Sequence, residues 1–355
     1  MEFGDYYLTL ASVYYNQKLN HLIGEGLAVK ELVLEPEQTL KELGFTPTEL
    51  NNIAKKIKEF DPVKVKQFCR ERGIKIITFD SPAYPENLHH LYDPPPVLFC
   101  LGDTSLLGKT GVGIVGARRA TSYGLKVSYN FAKELALAGV VIISGLARGI
   151  DGEAHRGALA TGTTVAVLGS GIDVPYPREN ERLYQEISQK GLVLSEFLPG
   201  TKPLPYLFPV RNRIIAALST GIVVVEAALK SGSLITAKLA LELGREVFAV
   251  PGMITSPQSA GANLLLKDGA QIALGVEDIF EGLGINNIFF KKEEKKAISG
   301  EIPAKIIEFL AGEDLTPEII AQKLNINISV VLRELSILEV KGFVKKSAMG
   351  KFTKI

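Results

Sequence analysis

The segment GVGIVGARRA at residues 111–120 matches the G-x-G-x-x-G fingerprint of dinucleotide-binding proteins through Gly111, Gly113 and Gly116. In a dinucleotide-binding fold, the first of these glycines follows a strand and the third packs the next helix onto it. Here the residues between the glycines are valine and isoleucine, so the glycines themselves are expected within a strand. The next strand, VVIIS, also ends without the acid that would hold a ribose. We therefore predict no NAD or FAD site and no cofactor.

The residues directly after this strand predict an anion site. Arg118 and Arg119 precede the segment YGLKVSYNFAKELALAG, which has the composition of a helix. A helix N-terminus offers unpaired N–H groups and the positive end of a dipole, and arginine adds paired donors. A phosphate is the expected ligand, although two solvated arginines would explain one such loop taken alone.

Three further loops share this chemistry. They are SGLARGIDGEAHRGAL, in which Asp151 is expected to cap a helix, PGTKPLPYLFPVRNRIIAAL, and EAALKSGSLITAKLAL. Loops that follow parallel strands emerge together at the carboxyl edge of the sheet, where ligands bind. The candidate binding residues are Gly116, Ala117, Arg118, Arg119, Ser144, Gly145, Arg148, Gly149, Lys202, Phe208, Arg211, Asn212, Arg213, Ser231, Gly232, Ser233 and Thr236.

The distribution of these residues indicates which phosphate compound binds. A small nucleotide needs one or two phosphate sites and one base pocket, whereas four basic loops suit a ligand with repeating phosphates. Tyr206 and Phe208 lie among the basic residues, and aromatic side chains stack on the bases of single strands whatever their sequence. Phe208 is equally compatible with a place in the core, while Tyr206, among prolines, is expected to be exposed. A single-stranded nucleic acid is the favoured ligand.

The elements that position these loops are strands alternating with helices over residues 63–288. The runs IKIITF, VGIV, VVIIS, TVAVLG, LVLSEF, GIVVVEA and EVFAVPG are short, apolar and rich in β-branched residues. Continuous apolar strands are expected where helices cover both faces of a sheet. The fold class is thus α/β, a Rossmann-like doubly wound sheet that is mostly parallel.

Two smaller domains are predicted to flank the sheet. Residues 1–62 are predicted to form short helices of the SAM or helix-hairpin-helix type, and Thr46-Pro47 is expected to begin one of them. The turn between two of these helices has the sequence GFTP and lacks the G-x-G hairpin that approaches phosphates. Residues 289–299 read as a charged linker. Residues 300–355 predict a winged helix, with Ser329 capping its third helix and a lysine-rich hairpin. DNA and protein are equally compatible partners for this last domain.

Composition excludes several classes of protein. The chain has 355 residues, 46% of them hydrophobic, and a formal net charge of +1, which fits a folded protein of two or three domains. No apolar run is long enough for a membrane span, and the acidic N-terminus does not fit a signal peptide. Cys69 and Cys100 lie in no metal or redox pair and are expected as reduced core residues of a cytoplasmic protein. No metal site is expected.

Several long segments, in order over residues 80–275, resemble the DNA-processing protein A family (DprA/Smf). They include YPENLHHLYDPPPVLFCLGD, VGARRATSYG, ISGLARGIDGEAHRGAL, TVAVLGSGIDVPYPREN, SEFLPGTKPLPYLFPVRNRIIAALS, VVVEAALKSGSLITA and FAVPG. The resemblance implies a cytoplasmic bacterial homodimer that binds single-stranded DNA, protects it during natural transformation, and helps to load the RecA recombinase. It also implies that the residues that bind include Arg118, then Ser144, Gly145 and Arg148, and, in the FPxRNR segment, Phe208, Arg211, Asn212 and Arg213.

The competing hypothesis is an enzyme. Nucleotide phosphoribohydrolases of the lysine-decarboxylase-like group have a related fold and carry P-G-G-x-G-T-x-x-E after a corresponding strand. This chain reads EAALKSGSLITA there, without the double glycine or the final glutamate. No paired carboxylates and no Ser-His-Asp set occur in the four loops. A binding protein without a catalytic step is therefore the leading hypothesis, and a purely structural protein would leave the basic loops unexplained.

Overall fold

The structure, a computed structural model, describes residues 2–13, 15–285, 301–340, 343–347 and 350–354. The chain divides into two compact units, residues 1–286 and residues 287–355. The predicted linker at 289–299 lies outside the described residues.

The first unit begins with six helices that pack onto the sheet. Apolar side chains of these helices share one hydrophobic cluster with the strand residues Val97, Phe99, Ala166 and Val193. Thr46 caps the fifth helix through a capping box with Glu49, and Pro47 is its first residue, as the sequence predicts. The helices are α1 (Phe3–Leu10), α2 (Gln17–Gly24), α3 (Val29–Leu34), α4 (Pro36–Glu42), α5 (Pro47–Glu59) and α6 (Pro62–Glu71).

A nine-stranded sheet forms the centre of this unit, in the order β1-β2-β6-β5-β4-β3-β7-β8-β9. Strands β3 to β9 are mutually parallel, whereas β1 and β2 run antiparallel at one edge. The strands are β1 (Lys75–Thr78), β2 (Val97–Gly102), β3 (Gly111–Val115), β4 (Val141–Ser144), β5 (Thr164–Val167), β6 (Leu192–Ser195), β7 (Gly221–Val224), β8 (Glu246–Ala249) and β9 (Gln271–Ile272).

Helices cover both faces of the sheet. Helices α11 and α12 contribute to a hydrophobic cluster on one face, with Ile214 and Ala237 packed among strand residues such as Val165 and Leu194. The other face is covered by α10 together with the N-terminal helices. The helices that alternate with the strands are α7 (Glu86–His89), α8 (Ser122–Leu137), α9 (Ile150–Thr161), α10 (Glu181–Lys190), α11 (Leu207–Leu218), α12 (Gly232–Glu242), α13 (Ala260–Lys267) and α14 (Val276–Gly282).

The predicted α/β sheet, mostly parallel with helices on both sides, is confirmed, and Gly111 and Gly113 lie within β3 as expected. Two strands, β2 and β9, were not among the predicted runs. Strand β2 pairs antiparallel between β1 and β6, which sequence periodicity alone cannot indicate. Strand β9 has only two residues, too few for a pattern.

The described residues of the second unit form three helices and a hairpin. Helix α16 begins after Thr316, as predicted, but Ser329 lies inside α17 and does not cap it. Instead the Asn327 side chain accepts hydrogen bonds from the Ser329 amide (2.9 Å) and hydroxyl (2.6 Å). The elements are α15 (Glu301–Leu310), α16 (Pro317–Leu324), α17 (Ile328–Val340), β10 (Val344–Lys346) and β11 (Phe352–Lys354).

The described residues include no helix with the length and hydropathy of a membrane span. They contain no group of histidine, cysteine and acidic side chains suited to a metal ion. Cys69 and Cys100 are buried free thiols, as expected.

Candidate nucleic-acid interface

A cleft of about 470 Å³ opens at the carboxyl edge of the sheet, beside β3 and β7. From β3 the chain proceeds outward through β4, β5 and β6, and then returns to add β7 on the other side of β3. The loops after β3 and β7 therefore diverge, which leaves a crevice between them. Such a switch point is the usual ligand position in an open parallel sheet.

The loop after β3 forms one wall of the cleft. Gly116 turns the chain so tightly that a Cβ atom there would lie 2.6 Å from Ile150 Cγ1. Ala117 follows and is buried, whereas Arg118 and Arg119 are exposed at the cleft. In the described part of the chain, neither arginine belongs to an ion pair, so both guanidinium groups remain available to an anion.

Thr121 fixes the end of this loop to the start of α8. Its hydroxyl accepts a hydrogen bond from the Gly124 amide (3.2 Å), which caps the helix. The buried Glu226 carboxylate accepts hydrogen bonds from the Thr121 amide (2.8 Å) and hydroxyl (2.5 Å). A Cβ atom on Gly124 would lie 2.5 Å from this carboxylate, so the close approach requires glycine. The carboxylate thus positions the two arginines through the backbone.

Arg211, in the second turn of α11, forms the floor of the cleft. Its Nη1 donates to the carbonyl oxygens of Gly145 (2.7 Å) and Val167, and its Nε donates to Asn212 Oδ1 (3.1 Å). Its guanidinium lies against Gly145 where a Cβ atom would otherwise be. Burial lowers the pKa of Arg211 to about 10, Asp151 opposes this shift, and the nearby Arg118 adds to it. The group remains a cation at neutral pH.

Asp151 is the acidic side chain that lines the cleft. It does not cap α9, which was the expectation, because the helix begins after Gly149 and Asp151 lies in its first turn. Its Oδ2 instead accepts a hydrogen bond of 3.1 Å from the Gly145 amide. Burial raises the pKa of Asp151, while Arg211 and the backbone donors of Gly145 and Ala147 oppose the rise. The carboxylate thus orients the loop after β4 and offsets part of the charge of Arg211.

Phe208 provides an aromatic surface at the cleft. Its ring lies over Gly169, where a Cβ atom would be 2.7 Å from Cδ1, and it contacts Tyr176 at a centroid distance of 5.6 Å. The Arg118 guanidinium lies 5.1 Å from the ring centroid, within the range of a cation–π interaction. Phe208 is half-buried, which is intermediate between a core position and an exposed stacking position, the two alternatives that its sequence left open. Tyr206 is exposed, as predicted.

The loop after β7 supplies hydroxyl groups to the opposite wall. Ser231 caps α12 by accepting a hydrogen bond from the Ser233 amide (3.4 Å), and the two serine hydroxyls are 2.7 Å apart. The exposed Gly232 and the buried Thr236 also line the cleft. Asn212 donates to the carbonyl oxygen of Gly232 (3.4 Å), which joins α11 to this loop.

Most of the predicted residues thus meet at one cleft, but six lie outside its lining. Ser144 is fully buried, and its hydroxyl donates to the carbonyl oxygen of Ile114 (2.7 Å). Gly145 packs under Arg211, and Gly149, with φ +73°, approaches the carbonyl oxygen of Ala117. Arg148 is exposed and paired with Glu179, and Lys202 is exposed.

The sixth residue, Arg213, is directed away from the cleft. It is 4% exposed and forms two hydrogen bonds with Glu196, at 2.6 and 2.7 Å. Its Nε also donates to the carbonyl oxygen of Asp93 (3.2 Å), and its guanidinium lies 5.1 Å from the ring centroid of Tyr15. Arg213 therefore holds α11 against the N-terminal helices and the segment before β2.

Several lining residues are not among the predicted binding residues. Lys230, in the predicted loop EAALKSGSLITAKLAL, lines the cleft, as do Pro205, Pro209 and Gln258. Pro205 precedes Tyr206 and Pro209 follows Phe208, so their position beside the aromatic residues could have identified both prolines as lining residues. Gln258 follows β8 in a segment with no basic residue nearby, and no sequence signal distinguishes it.

This fold places the chain in a class: doubly wound α/β proteins with a cleft at the switch point of the sheet, the position where such folds bind their ligands. The chain belongs to the DNA recombination-mediator protein A family, whose model matches residues 75–284. The resemblance seen in the sequence is thereby confirmed.

Individual relatives are similar over most of the chain. It is 42% identical to the DNA processing protein DprA of Bacillus subtilis over 280 residues, which cover 76% of this chain and 94% of that protein. Identity to protein Smf of Escherichia coli is 40% over 283 residues, covering 76% of this chain and 74% of Smf.

Two solved structures agree with the fold. DprA of Streptococcus pneumoniae aligns with a TM-score of 0.70 and 34% identity, covering 79% of this chain and 98% of the other. DprA of Helicobacter pylori, described with a unique single-stranded DNA binding mode, aligns with a TM-score of 0.54 and 36% identity, covering 59% and 95%.

Proposed function

We propose that this protein binds single-stranded DNA in the cleft between the loops after β3 and β7. The observation that carries the proposal is the contact between Arg118 and Phe208, which puts a free cation and an aromatic face side by side. A single strand offers phosphates and unpaired bases to the same surface, whereas a duplex keeps its bases stacked on each other. The hydroxyls of Ser231 and Ser233 and the N-terminus of α12 supply further donors for phosphate oxygens.

The residues proposed to contact DNA are those whose side chains or backbone reach the cleft. Arg118, Arg119 and Lys230 act as cations, Phe208 as a stacking surface, and Arg211 as a charge fixed at the floor. Ser144 and Arg213 are proposed to stabilise the fold without contacting DNA, because their polar atoms are already engaged inside the protein. Arg148 and Lys202 are proposed to extend the path of the strand beyond the cleft.

We infer further that the bound strand is protected and passed to the RecA recombinase during natural transformation, in the cytoplasm. Membership of the recombination-mediator family supports this role. The same proposal includes a homodimer. Strand β9 is one of the two edge strands of the sheet. Ile272 in β9, and Leu264 and Leu274 near it, are exposed apolar side chains, which suits contact with a second copy. Sedimentation of a Leu274→Asp variant tests the dimer: a monomer is expected, and an unchanged mass would contradict this surface.

The two flanking regions carry separate proposals. We propose that residues 300–355 form a winged helix whose hairpin, with exposed Lys345, Lys346, Lys351 and Lys354, binds DNA or a protein. Arg333 in α17 is already paired with Glu334 at 2.8 Å, so the helix offers less positive charge than the hairpin. Residues 1–62 are proposed as a SAM-like scaffold, and the boundaries at 63–288 and 289–299 remain predictions.

No catalytic step is proposed. Asp151 is held by the Gly145 amide within the cleft, and a phosphoribohydrolase would need a carboxylate free to act on the sugar. Incubation with nucleoside monophosphates tests this alternative directly. Release of a free base would favour the enzyme.

The binding proposal is tested by titrating labelled oligo-dT and a matched duplex across a range of salt concentrations. We expect tighter binding of the single strand, with log K falling by about 0.7 per phosphate contact for each tenfold rise in salt. Arg118→Ala should weaken binding and reduce the slope by about that amount. Arg182→Ala removes the same charge from an exposed position on α10 and serves as the control.

Two outcomes would contradict the proposal. One is equal affinity for the duplex and the single strand at every salt concentration. The other is an Arg118→Ala variant that binds as tightly as Arg182→Ala.

A further inference from the structure

A second cavity of about 750 Å³ adjoins the cleft, lined by Ser122, Tyr123, Glu226, Met253, Ser256 and Ser259 among others. The two spaces are lined by neighbouring residues of the same two segments. Arg119 lines the cleft and Thr121 the second cavity, while Gln258 lines the cleft and Ser256 the second cavity. Two residues of extended chain span at most about 7 Å. A polymer that passes Arg119 is therefore within about 7 Å of chain from a residue that lines the second cavity.

The apolar wall of the second cavity is an exposed aromatic ring beside a flexible thioether. Tyr123 is 53% exposed, and its hydroxyl donates to the carbonyl oxygen of Pro251 (3.3 Å), which restrains the ring. Met253 is 74% exposed and lines the same cavity. Tyrosine offers a stacking face, and methionine adapts its shape to flat ligands of different outline.

The polar groups of the second cavity suit a neutral heterocycle and not a phosphate. Ser259 is 5% exposed, and its hydroxyl makes no hydrogen bond within the described residues, so it can both donate to and accept from a ligand. Glu226 contributes a carboxylate, and no lysine or arginine is among the lining residues. An anion would be repelled here, whereas the edge of a base offers the serine hydroxyl a hydrogen-bond partner.

We propose that the second cavity is a base-binding subsite, in which Tyr123 stacks on a nucleobase of the strand whose phosphates occupy the cleft. This inference rests on the proposed single-stranded DNA binding and specifies where one of the bases lies. Because the Ser259 hydroxyl can donate or accept, the subsite takes purines and pyrimidines alike.

The test compares oligo-dT with an abasic oligomer of the same length, which keeps the phosphates and lacks the bases. Tyr123→Ala should weaken oligo-dT binding about five-fold or more, the range of one stacked base, and should leave binding of the abasic oligomer unchanged. Tyr123→Phe keeps the ring and should bind oligo-dT nearly as the wild type does. Leu137→Ala, exposed near the far end of α8, is the matched control and should change neither affinity.

Cross-linking gives an independent readout. An oligonucleotide carrying 5-iododeoxyuridine should form a photo-adduct with the peptide that contains Tyr123 or with the one that contains Met253. Adducts confined to the peptide with Phe208 would overturn the inference.

The outcomes separate this inference from the function on which it rests. If Arg118→Ala weakens both oligomers while Tyr123→Ala weakens neither, the cleft binds DNA and the second cavity is not a base subsite. Equal weakening of both oligomers by Tyr123→Ala would also overturn the subsite, because the effect would not depend on a base. If Arg118→Ala has no effect on either oligomer, the proposed function itself fails.

Discussion

Nη1 of Arg211 donates a hydrogen bond of 2.7 Å to the carbonyl oxygen of Gly145, which lies 66 residues earlier in the chain. The same atom also donates to the carbonyl oxygen of Val167, at the end of β5. One buried cation thus joins the loop after β4, the end of β5 and helix α11, and it does so at the floor of the cleft. Its charge therefore serves both the fold and the proposed binding of phosphate.

Replacement of Arg211 by methionine should lower both stability and DNA affinity. The carbonyl groups of Gly145 and Val167 would lose their donor, and each buried polar group left unpaired costs about 1–3 kcal/mol. We expect the free energy of unfolding to fall by about 3 kcal/mol, measured by urea denaturation. Arg118→Met, at an exposed position, should change stability by about 0.5 kcal/mol or less while still weakening DNA binding. Equal stability of the two variants would contradict the structural role of Arg211.

Gly149 is expected to tolerate no side chain. Its φ is +73°, and a Cβ atom would collide with the carbonyl oxygen of Ala117, the residue before Arg118. Gly149→Ala should therefore displace the loop after β3 and weaken oligo-dT binding as well as stability. Gly139→Ala has a similar φ of +83° but open space around it, so it should cost about 1 kcal/mol of stability and leave DNA affinity unchanged. Matching DNA affinities in the two variants would disprove the collision.

His155 should make the stability of the protein depend on pH. Thr164 Oγ1 donates to the carbonyl oxygen of Ile142 (2.6 Å) and so accepts the Nδ1 proton of His155 (2.7 Å). The free Nε2 accepts a hydrogen bond of 3.3 Å from the amide of Leu146, whose φ is +55°. Burial, with smaller effects from Arg211 and Arg156, lowers the pKa of His155 from 6.5 to about 3. The imidazole is thus a neutral support for the strained loop after β4.

The sign of the effect follows from the lowered pKa. Below pH 6.5 the unfolded chain takes up a proton at His155 that the folded protein excludes until about pH 3. The stabilisation from the neutral His155 is present in full above pH 6.5. It decreases as the pH is lowered, by about 2 kcal/mol between pH 6.5 and pH 5. Urea denaturation of wild type and His155→Gln should show a gap in stability that narrows over this range. A constant gap would contradict the neutral, buried state of the imidazole.

Arg213 should matter for stability and not for DNA binding. Its guanidinium pairs with Glu196 and Asp93 inside the protein, and these carboxylates together raise its pKa despite burial. Removal of one partner from a buried ion pair costs about 3–5 kcal/mol. Arg213→Met should therefore unfold at much lower urea concentrations, while the folded fraction binds oligo-dT with wild-type affinity. If Arg213→Met lowered the affinity for oligo-dT and left the free energy of unfolding unchanged, Arg213 would belong to the binding site.

The local features of this protein follow from its amino-acid sequence alone. Short β-branched runs became strands, Thr46-Pro47 opened a helix, and the turn after β3 exposed Arg118 and Arg119, because each depends on neighbouring residues only. The carboxyl edge of the sheet was also predictable, since parallel strands bring their following loops together. The pairing of β2 was not, because it depends on distant strands.

The position and the partners of each arginine in the FPVRNR segment depend on the tertiary structure. Arg211 and Arg213 are two residues apart, which on a helix with 3.6 residues per turn directs them about 200° apart. In the sequence the two arginines carry the same charge and flank the same residue, Asn212. Arg211 lies at the cleft because Gly145 leaves room for it, and Arg213 lies inside because Glu196 and Asp93 face it from other elements. Long-range packing sets these partners, and no local pattern encodes them.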